Sequence, residues 1–274
     1  FKKYGETLDG AADAILEFNK GLIDELCKIV PAVKPQCAYY EMYGWQGVKA
    51  LYDTISYAKK KGMFVITDGK RNDIGTTMQA YAAAHLGNIS VENNEFAPFG
   101  ADALTVNAYL GSDGINPLLD ICKDGDKGIF VLVKTSNPSS GELQNRVFDD
   151  GATLYETVGN LCEEWGQNLE GKYGYSGVGA VVGATYPKQL FELRNKLKHT
   201  FFLVPGYGAQ GGGAKDVAPA FDSNGLGAVI NASRSIMCAW QKTGADEKDY
   251  AKAAAQEAVN MRDCISKEIG KISL

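Results

Sequence analysis

Apolar residues along the chain alternate between helical stripes and short continuous runs. The first stripe lies at residues 11–29, where apolar side chains recur every three or four positions and therefore share one face of a helix. Further helices are predicted at residues 45–58, 154–165, 190–197 and 250–269. Continuous apolar runs predict strands at residues 29–34, 63–67, 103–107, 128–134, 177–182, 201–204 and 228–231.

This alternation of helices and apolar strands predicts an α/β fold with a parallel sheet covered by helices. A (β/α)8 TIM barrel and an open doubly wound sheet both fit. No GxGxxG motif follows the first strand, and polar residues end nearly every strand, which favours the barrel. Only seven strands are visible and the chain begins directly before a helix, so we expect the first barrel strand to be missing from this sequence. No change in composition divides residues 1–274, which predicts a single domain.

Composition excludes several classes of function. The chain has 274 residues, 45% of them hydrophobic, which is enough for one large core. A net charge of -5 argues against nucleic acid or an anionic membrane as a partner, and no apolar run approaches the roughly 20 residues of a membrane span. The six cysteines form no CxxC pair and only His85 and His199 are present, so we expect a reduced cytoplasmic protein without a metal site.

Charged residues crowd the end of the second predicted strand. The apolar run that ends at Thr67 is followed by Asp68, Lys70 and Asp73. Because side chains alternate along a strand, Asp68 and Lys70 should point to one side, with Cα atoms about 6.6 Å apart. Such a cluster can be an active site or an ion-pair network that only contributes stability. The first is favoured, because desolvation cancels much of the energy that a purely structural network would gain.

Polar residues at the other strand ends would meet at the same mouth of the barrel, where barrel enzymes place their chemistry. They are Lys34, Asn107, Lys134–Asn137, Thr185, residues 205–210 and residues 231–234. The last two loops suit a phosphate, because the glycines between 206 and 213 allow close backbone approach and Gln210 and Arg234 offer donors. A flexible surface loop, with Arg234 in a structural salt bridge, is the alternative interpretation.

Three motifs then make the chain resemble the orotidine 5'-phosphate decarboxylase family, from about Asp9 to the carboxyl end. They are the DxKxxDI..T pattern at residues 68–77, KTSNP at 134–138, and PGYGAQGG at 205–212 with NASRSI at 231–236. The first motif is highly specific. Residues 14–19 and 31–36 are similar to the longer bacterial and archaeal branch of the family.

The resemblance implies cofactor-free decarboxylation of orotidine 5'-phosphate to UMP and carbon dioxide, the last step of UMP synthesis. Lys70 would protonate C6 of the pyrimidine and Asp68 would lie beside the departing carboxylate, with Lys34 and Asp73 completing an alternating tetrad. The family forms homodimers, so Asp73, Ile74 and Thr77 would act in the neighbouring subunit's site. The remaining residues implied to bind substrate are Ser136 and Pro138 at the pyrimidine, Gln210, Gly211 and Arg234 at the phosphate, and Asn107.

Two departures from the family pattern bear on this assignment. The family's first strand carries an aspartate that contacts the ribose, and this strand has no counterpart in the sequence. Ala108 follows Asn107 where a proline is expected. Two alternatives stay open: a metal-dependent phosphosugar barrel, such as a keto-gulonate phosphate decarboxylase or hexulose phosphate synthase, and a non-catalytic nucleotide-binding barrel. The intact Lys70 argues against the latter.

Overall fold

A computed structural model describes residues 3–208, 211–244, 246–270 and 272 of the chain. The helices are α1 (Leu8–Leu26), α2 (Ala38–Glu41), α3 (Gly44–Lys60), α4 (Gly75–His85), α5 (Asn116–Gly125), α6 (Leu154–Gly166), α7 (Pro187–Lys196), α8 (Ala214–Val217), α9 (Arg234–Met237), α10 (Ala239–Thr243) and α11 (Tyr250–Ile269). The strands are β1 (Ala32–Val33), β2 (Phe64–Arg71), β3 (Ile89–Val91), β4 (Asn94–Phe96), β5 (Ala103–Val106), β6 (Gly128–Lys134), β7 (Val178–Val182), β8 (Phe202–Pro205) and β9 (Ala228–Asn231).

Seven strands form one sheet in the order β1-β2-β5-β6-β7-β8-β9, and every neighbouring pair is parallel. A helix or helical segment separates each strand of this sheet from the next, which is the arrangement of a β/α barrel. Across the described residues, β1 and β9 are the edges of the sheet. All seven predicted strands are therefore present, and the α/β prediction is confirmed.

The core has an inner layer and an outer layer. One buried apolar side chain from each of five strands fills the space inside the curled sheet: Ile66, Ala103, Phe130, Val181 and Leu203. The opposite face of the same strands packs against the helices, for example Val65 against Ile55 of α3. Because strand side chains alternate, Asp68 and Thr105 lie two residues beyond Ile66 and Ala103, on the inner face near the carboxyl ends.

Local signals explain where the main helices begin. The Thr7 hydroxyl accepts a hydrogen bond from the Gly10 N–H at 3.0 Å and caps α1. Thr153 and Glu156 form a reciprocal capping box at the start of α6. These caps satisfy backbone donors that the first helical turn leaves free.

A hairpin and the length of the first strand are among the features that differ from the sequence expectations. Strands β3 and β4 form an antiparallel hairpin that was not predicted, because all six of its residues are exposed and it lacks a buried face. Strand β1 is only two residues long, although an isolated bridge between Gln36 and Asp68 continues the pairing with β2. Among the described helices, none combines the length and apolar character needed to cross a membrane.

Candidate active site

Asp68 is the centre of a buried polar cluster at the carboxyl end of β2. The residue is 6% exposed. Lys34, immediately after β1, forms an ion pair with its Oδ2 atom, and Lys70 Nζ lies 2.7 Å from Oδ1. The structure therefore brings together Lys34, Asp68 and Lys70, three of the four residues expected in the tetrad.

Two neutral side chains complete the cluster, and the sequence had not indicated either as a site residue. Gln36 Nε2 donates to Asp68 Oδ2 at 3.0 Å, and the Thr105 hydroxyl donates to Oδ1 at 2.8 Å. Gln36 lies two residues beyond Lys34, so alternation at the strand end could have indicated it. Thr105 gave no signal, because threonine is an ordinary strand residue.

The electrostatic balance keeps Asp68 ionised. Burial alone raises the pKa of its carboxyl group, but the charges and hydrogen bonds of Lys34 and Lys70 outweigh burial and hold the pKa below its usual value. The Lys34 side chain is 13% exposed and that of Lys70 is 45% exposed. Lys70 is therefore the more accessible ammonium group of the cluster.

Asp68 and Lys70 line a cavity of about 410 Å³, within the size range of small-molecule sites. Its other lining residues come from the segment after β1 and from β2: Gln36, Cys37, Ala38, Tyr39, Glu41, Gly69 and Arg71.

The backbone of β2 is irregular at the cluster. Its register with β5 shifts between Thr67 and Arg71, and Lys70 has a positive φ of 47°. The Lys70 N–H donates to the Thr105 hydroxyl at 3.0 Å instead of to a carbonyl of a neighbouring strand. A regular strand was expected here, and the contact between Lys70 and Asp68 is made across this bulge.

Asp73, Ile74 and Thr77 lie at the start of α4, away from the Asp68 cluster. The Asp73 carboxylate accepts from the Ile74 N–H at 2.8 Å and makes no ion pair within the described residues. Ile74 is 51% exposed and Thr77 is also exposed. Asp73 itself is half-buried, and within the described part of one protomer no hydrogen bond or ion pair joins any of these three residues to Lys70.

Arg71 and Asn107 connect the ends of β2 and β5. The Arg71 guanidinium forms an ion pair with Glu41 and lies 5.7 Å from the Tyr81 ring centroid. The backbone carbonyl of Arg71 accepts a hydrogen bond from the Asn107 N–H at 3.1 Å. The Asn107 Oδ1 atom accepts from the Tyr109 N–H at 2.9 Å. The side-chain oxygen of Asn107 is thus used in a local turn.

Lys134 is the last residue of β6, and the loop that follows it contains Ser136 and Pro138. Its side chain is fully buried, and Nζ donates to Asn145 Oδ1 at 2.8 Å and lies 4.3 Å from the Tyr186 ring centroid. Burial lowers the pKa of Lys134, against the opposing effect of Tyr186.

The segment between Lys134 and Asn145 is fixed at several points. The Thr185 hydroxyl donates to the Ser136 carbonyl at 3.3 Å, and Thr135 and Gln144 exchange two hydrogen bonds of 3.0 and 2.8 Å. Ser136 is half-buried and Pro138 is exposed. Ser136 is consequently held by neighbours on both sides.

The glycine loop after β8 is folded on itself. Gly208 donates to the Gly212 carbonyl at 2.8 Å, and Gly211 donates to the Gly208 carbonyl at 2.9 Å. Gly208 and Gly211 have φ values of 76° and 97°, which glycine adopts without strain. Their N–H groups, expected to face an anion, are therefore engaged within the loop. Gln210 lies outside the described residues.

Arg234 begins α9 three residues after the end of β9, and the residue is exposed. Over the described ranges it takes part in no ion pair, so the structural salt bridge considered as an alternative is not formed there. In the same part of the chain, no group of three or more His, Cys, Asp or Glu side chains is arranged to hold a metal ion.

A curled parallel sheet with a lysine–aspartate–lysine cluster at its carboxyl ends defines a β/α-barrel enzyme with a charged site at its mouth. The chain belongs to the orotidine 5'-phosphate decarboxylase / HUMPS family, whose model matches residues 13–248. The resemblance seen in the sequence motifs is confirmed.

Individual relatives agree with this membership. An orotidine 5'-phosphate decarboxylase from Rhodopirellula baltica is 46% identical over 259 residues, which cover 93% of this chain and 84% of that protein. The solved structure of Leishmania donovani OMP decarboxylase is 34% identical, with a TM-score of 0.71 and coverage of 94% of this chain and 90% of that one. Leishmania donovani UMP synthase is 36% identical with a TM-score of 0.71, and the chain spans 52% of that protein's length.

Proposed function

We propose that this protein decarboxylates orotidine 5'-phosphate to UMP and carbon dioxide without a cofactor, as the final step of UMP synthesis. Family membership supports this function. The structural observation that carries it is the buried Asp68 carboxylate held between Lys34 and Lys70 at the carboxyl end of β2. Fixed opposite charges are the means by which a site without an electron-accepting cofactor can stabilise a carbanion.

The proposed chemistry uses Asp68 and Lys70 directly. The bond from C6 to the carboxylate breaks, carbon dioxide leaves, and the electron pair stays at C6 in the plane of the pyrimidine ring. The Lys70 ammonium stabilises this charge and then transfers a proton to C6. Asp68 would face the substrate carboxylate, and their repulsion is relieved when carbon dioxide leaves. Lys34 keeps Asp68 ionised and in place.

Binding of the rest of the substrate supplies the remaining stabilisation. A very slow uncatalysed reaction needs on the order of 20 kcal/mol of barrier reduction, whereas one proton donor contributes only about 10²–10⁴-fold. We assign Arg234 and Gln210, with Gly211, to the phosphate and Ser136, with Pro138, to the pyrimidine. We also assign Asn107 to the substrate pocket. Because the Gly208 and Gly211 N–H groups are engaged within their loop, the Arg234 and Gln210 side chains are expected to donate to the phosphate, while Gly211 lets the backbone approach it closely.

The proposed active form is a homodimer with shared sites. Asp73 lacks an ion pair among the described residues of one protomer, and it lies beside Ile74 and Thr77, whose side chains are exposed. An aspartate of this kind can serve a lysine of a second copy. We also place the protein in the cytoplasm, where its six free cysteines would stay reduced.

The test is turnover of orotidine 5'-phosphate by the purified protein in the presence of a chelator, followed through the pyrimidine absorbance. We expect turnover that the chelator does not reduce. Lys70→Ala should abolish it because the proton donor is lost, whereas Lys188→Ala, which removes an exposed lysine of α7, should be without effect.

Two results would contradict the proposal. The absence of turnover by a folded dimer would refute the decarboxylase assignment itself. Activity that the chelator removes and a divalent metal restores would indicate a metal-dependent barrel enzyme instead.

A further inference from the structure

We infer that Thr105 is a positioning residue that holds Asp68 and Lys70 in their working arrangement. This inference rests on the proposed function and adds a residue outside the charged tetrad. Thr105 lies on β5, is 1% exposed, and contacts both residues through one hydroxyl group.

The direction of both hydrogen bonds is fixed by chemistry. The Lys70 backbone N–H can only donate, and the ionised Asp68 carboxylate can only accept. The hydroxyl therefore accepts from Lys70 N at 3.0 Å and donates its single proton to Asp68 Oδ1 at 2.8 Å. Thr105 is thus a bridge between the backbone of the proton donor and the carboxylate beside it.

The bulge in β2 explains why such a bridge is needed. Thr67 pairs with Leu104 and Arg71 pairs with Val106. Between these pairs, β2 has three residues, 68–70, while β5 has only Thr105. Because the ladder is irregular here, the Lys70 N–H donates to the Thr105 hydroxyl instead of to a backbone carbonyl of β5. It also supports Lys70 at a φ of 47°, which non-glycine residues rarely adopt.

The inference predicts that Thr105→Val lowers kcat by about 10–100-fold with a smaller effect on KM, because small displacements of reacting groups are costly. Valine keeps the shape of the side chain and removes only the hydroxyl. Thr105→Ser retains the hydroxyl and should restore most of the activity. Thr67→Val is the matched control, because Thr67 is equally buried on β2 but donates to the Ala103 carbonyl, 3.2 Å away.

A second measurement does not depend on turnover. Thr105 favours the ionised form of Asp68, so Thr105→Val should raise the pKa of Asp68, followed by carbon-13 NMR of the ligand-free protein. The charged or titratable groups nearest Asp68 are Lys34 after β1, Lys70 on β2 and Cys37 at the start of α2. Tyr39, Glu41 and Arg71 line the same cavity. All of these groups are unchanged in the variant, so a shift reports the lost hydroxyl.

These outcomes separate the inference from the proposed function. Wild-type protein without turnover would refute the decarboxylase assignment, and the Asp68 titration would still decide the role of Thr105. An unchanged Asp68 pKa in Thr105→Val, or equal kcat losses in Thr105→Val and Thr67→Val, would overturn the inference. If Thr105→Val does not fold, Thr105→Ala removes the same hydroxyl and is measured in its place.

Discussion

Arg234 is a single exposed cation next to the end of β9, and within the described residues no carboxylate neutralises it. We expect Arg234→Ala to raise KM for orotidine 5'-phosphate about 10–100-fold, since a charge-assisted hydrogen bond to phosphate contributes about 1.5–3 kcal/mol. The effect on kcat should be smaller. Steady-state kinetics over a wide substrate range measures both parameters.

Arg262→Ala provides the control for this prediction. Arg262 is also an exposed arginine, but it lies on α11 and pairs with Asp263. If the two variants change KM equally, net charge rather than a specific phosphate contact is responsible, and the role assigned to Arg234 is wrong.

Single residues differ in how visible they are in the sequence. Asp68 and Lys70 stand out because charge follows an apolar run directly. Thr105 does not, because its function arises only when β5 pairs with the bulge of β2, and pairing between strands about 35 positions apart leaves no local pattern. The sequence therefore indicates the charged members of the site but not the hydroxyl between them.

Most helices and strands with a strong hydrophobic period were predicted from the sequence, whereas exposed strands were not. Helix α11 has the predicted bounds, Tyr250–Ile269, and each predicted apolar run overlaps one of the seven strands of the main sheet. The hairpin of Ile89–Val91 and Asn94–Phe96 has no buried face, so its three-residue strands carry no signal. Hydrophobic patterning predicts what enters the core and says little about the rest.

Helix α4 ends in a buried histidine, which makes the free energy of unfolding of the protein depend on pH. His85 is 3% exposed and stacks on Phe99 with ring centroids 5.0 Å apart. Burial, with a smaller effect of the Arg71 charge, lowers the pKa of His85 from 6.5 to about 4. Between these two values the unfolded chain binds a proton that the folded protein does not, so the free energy of unfolding decreases as pH falls.

Replacing His85 with phenylalanine should remove this dependence while keeping the stacked ring. Between pH 7.5 and 4.5, the wild-type protein should lose about 2–3 kcal/mol more unfolding free energy than His85→Phe. Urea unfolding of both proteins at the two pH values measures the difference. Equal losses would show that His85 is not the group responsible.

The whole molecule is expected to work as a dimer, and mixing inactive subunits can test this. Asp73→Ala and Lys70→Ala proteins should each be inactive, but a mixed dimer has one site with both Lys70 and Asp73. Random mixing should restore about one quarter of wild-type activity, because half of the dimers are mixed and each has one working site. Activity is measured after dissociation and reassociation of the mixture.

The control mixture combines Lys70→Ala with Asp68→Ala. Lys70 and Asp68 contact each other within one protomer, so no arrangement of the two variants assembles a complete site. Recovery of activity in this control would show that rescue does not arise from sharing, and no recovery in the first mixture would place Asp73 outside the partner's site.

The left-handed backbone conformation of Lys70 lowers the stability of the protein at a residue that the proposed reaction requires. A non-glycine residue in this conformation costs on the order of 1–3 kcal/mol, and glycine would relieve most of that cost. Glycine at position 70 would relieve this backbone strain, but it could neither pair with Asp68 nor donate a proton. The strained conformation is therefore kept at a residue whose ammonium group the proposed reaction requires.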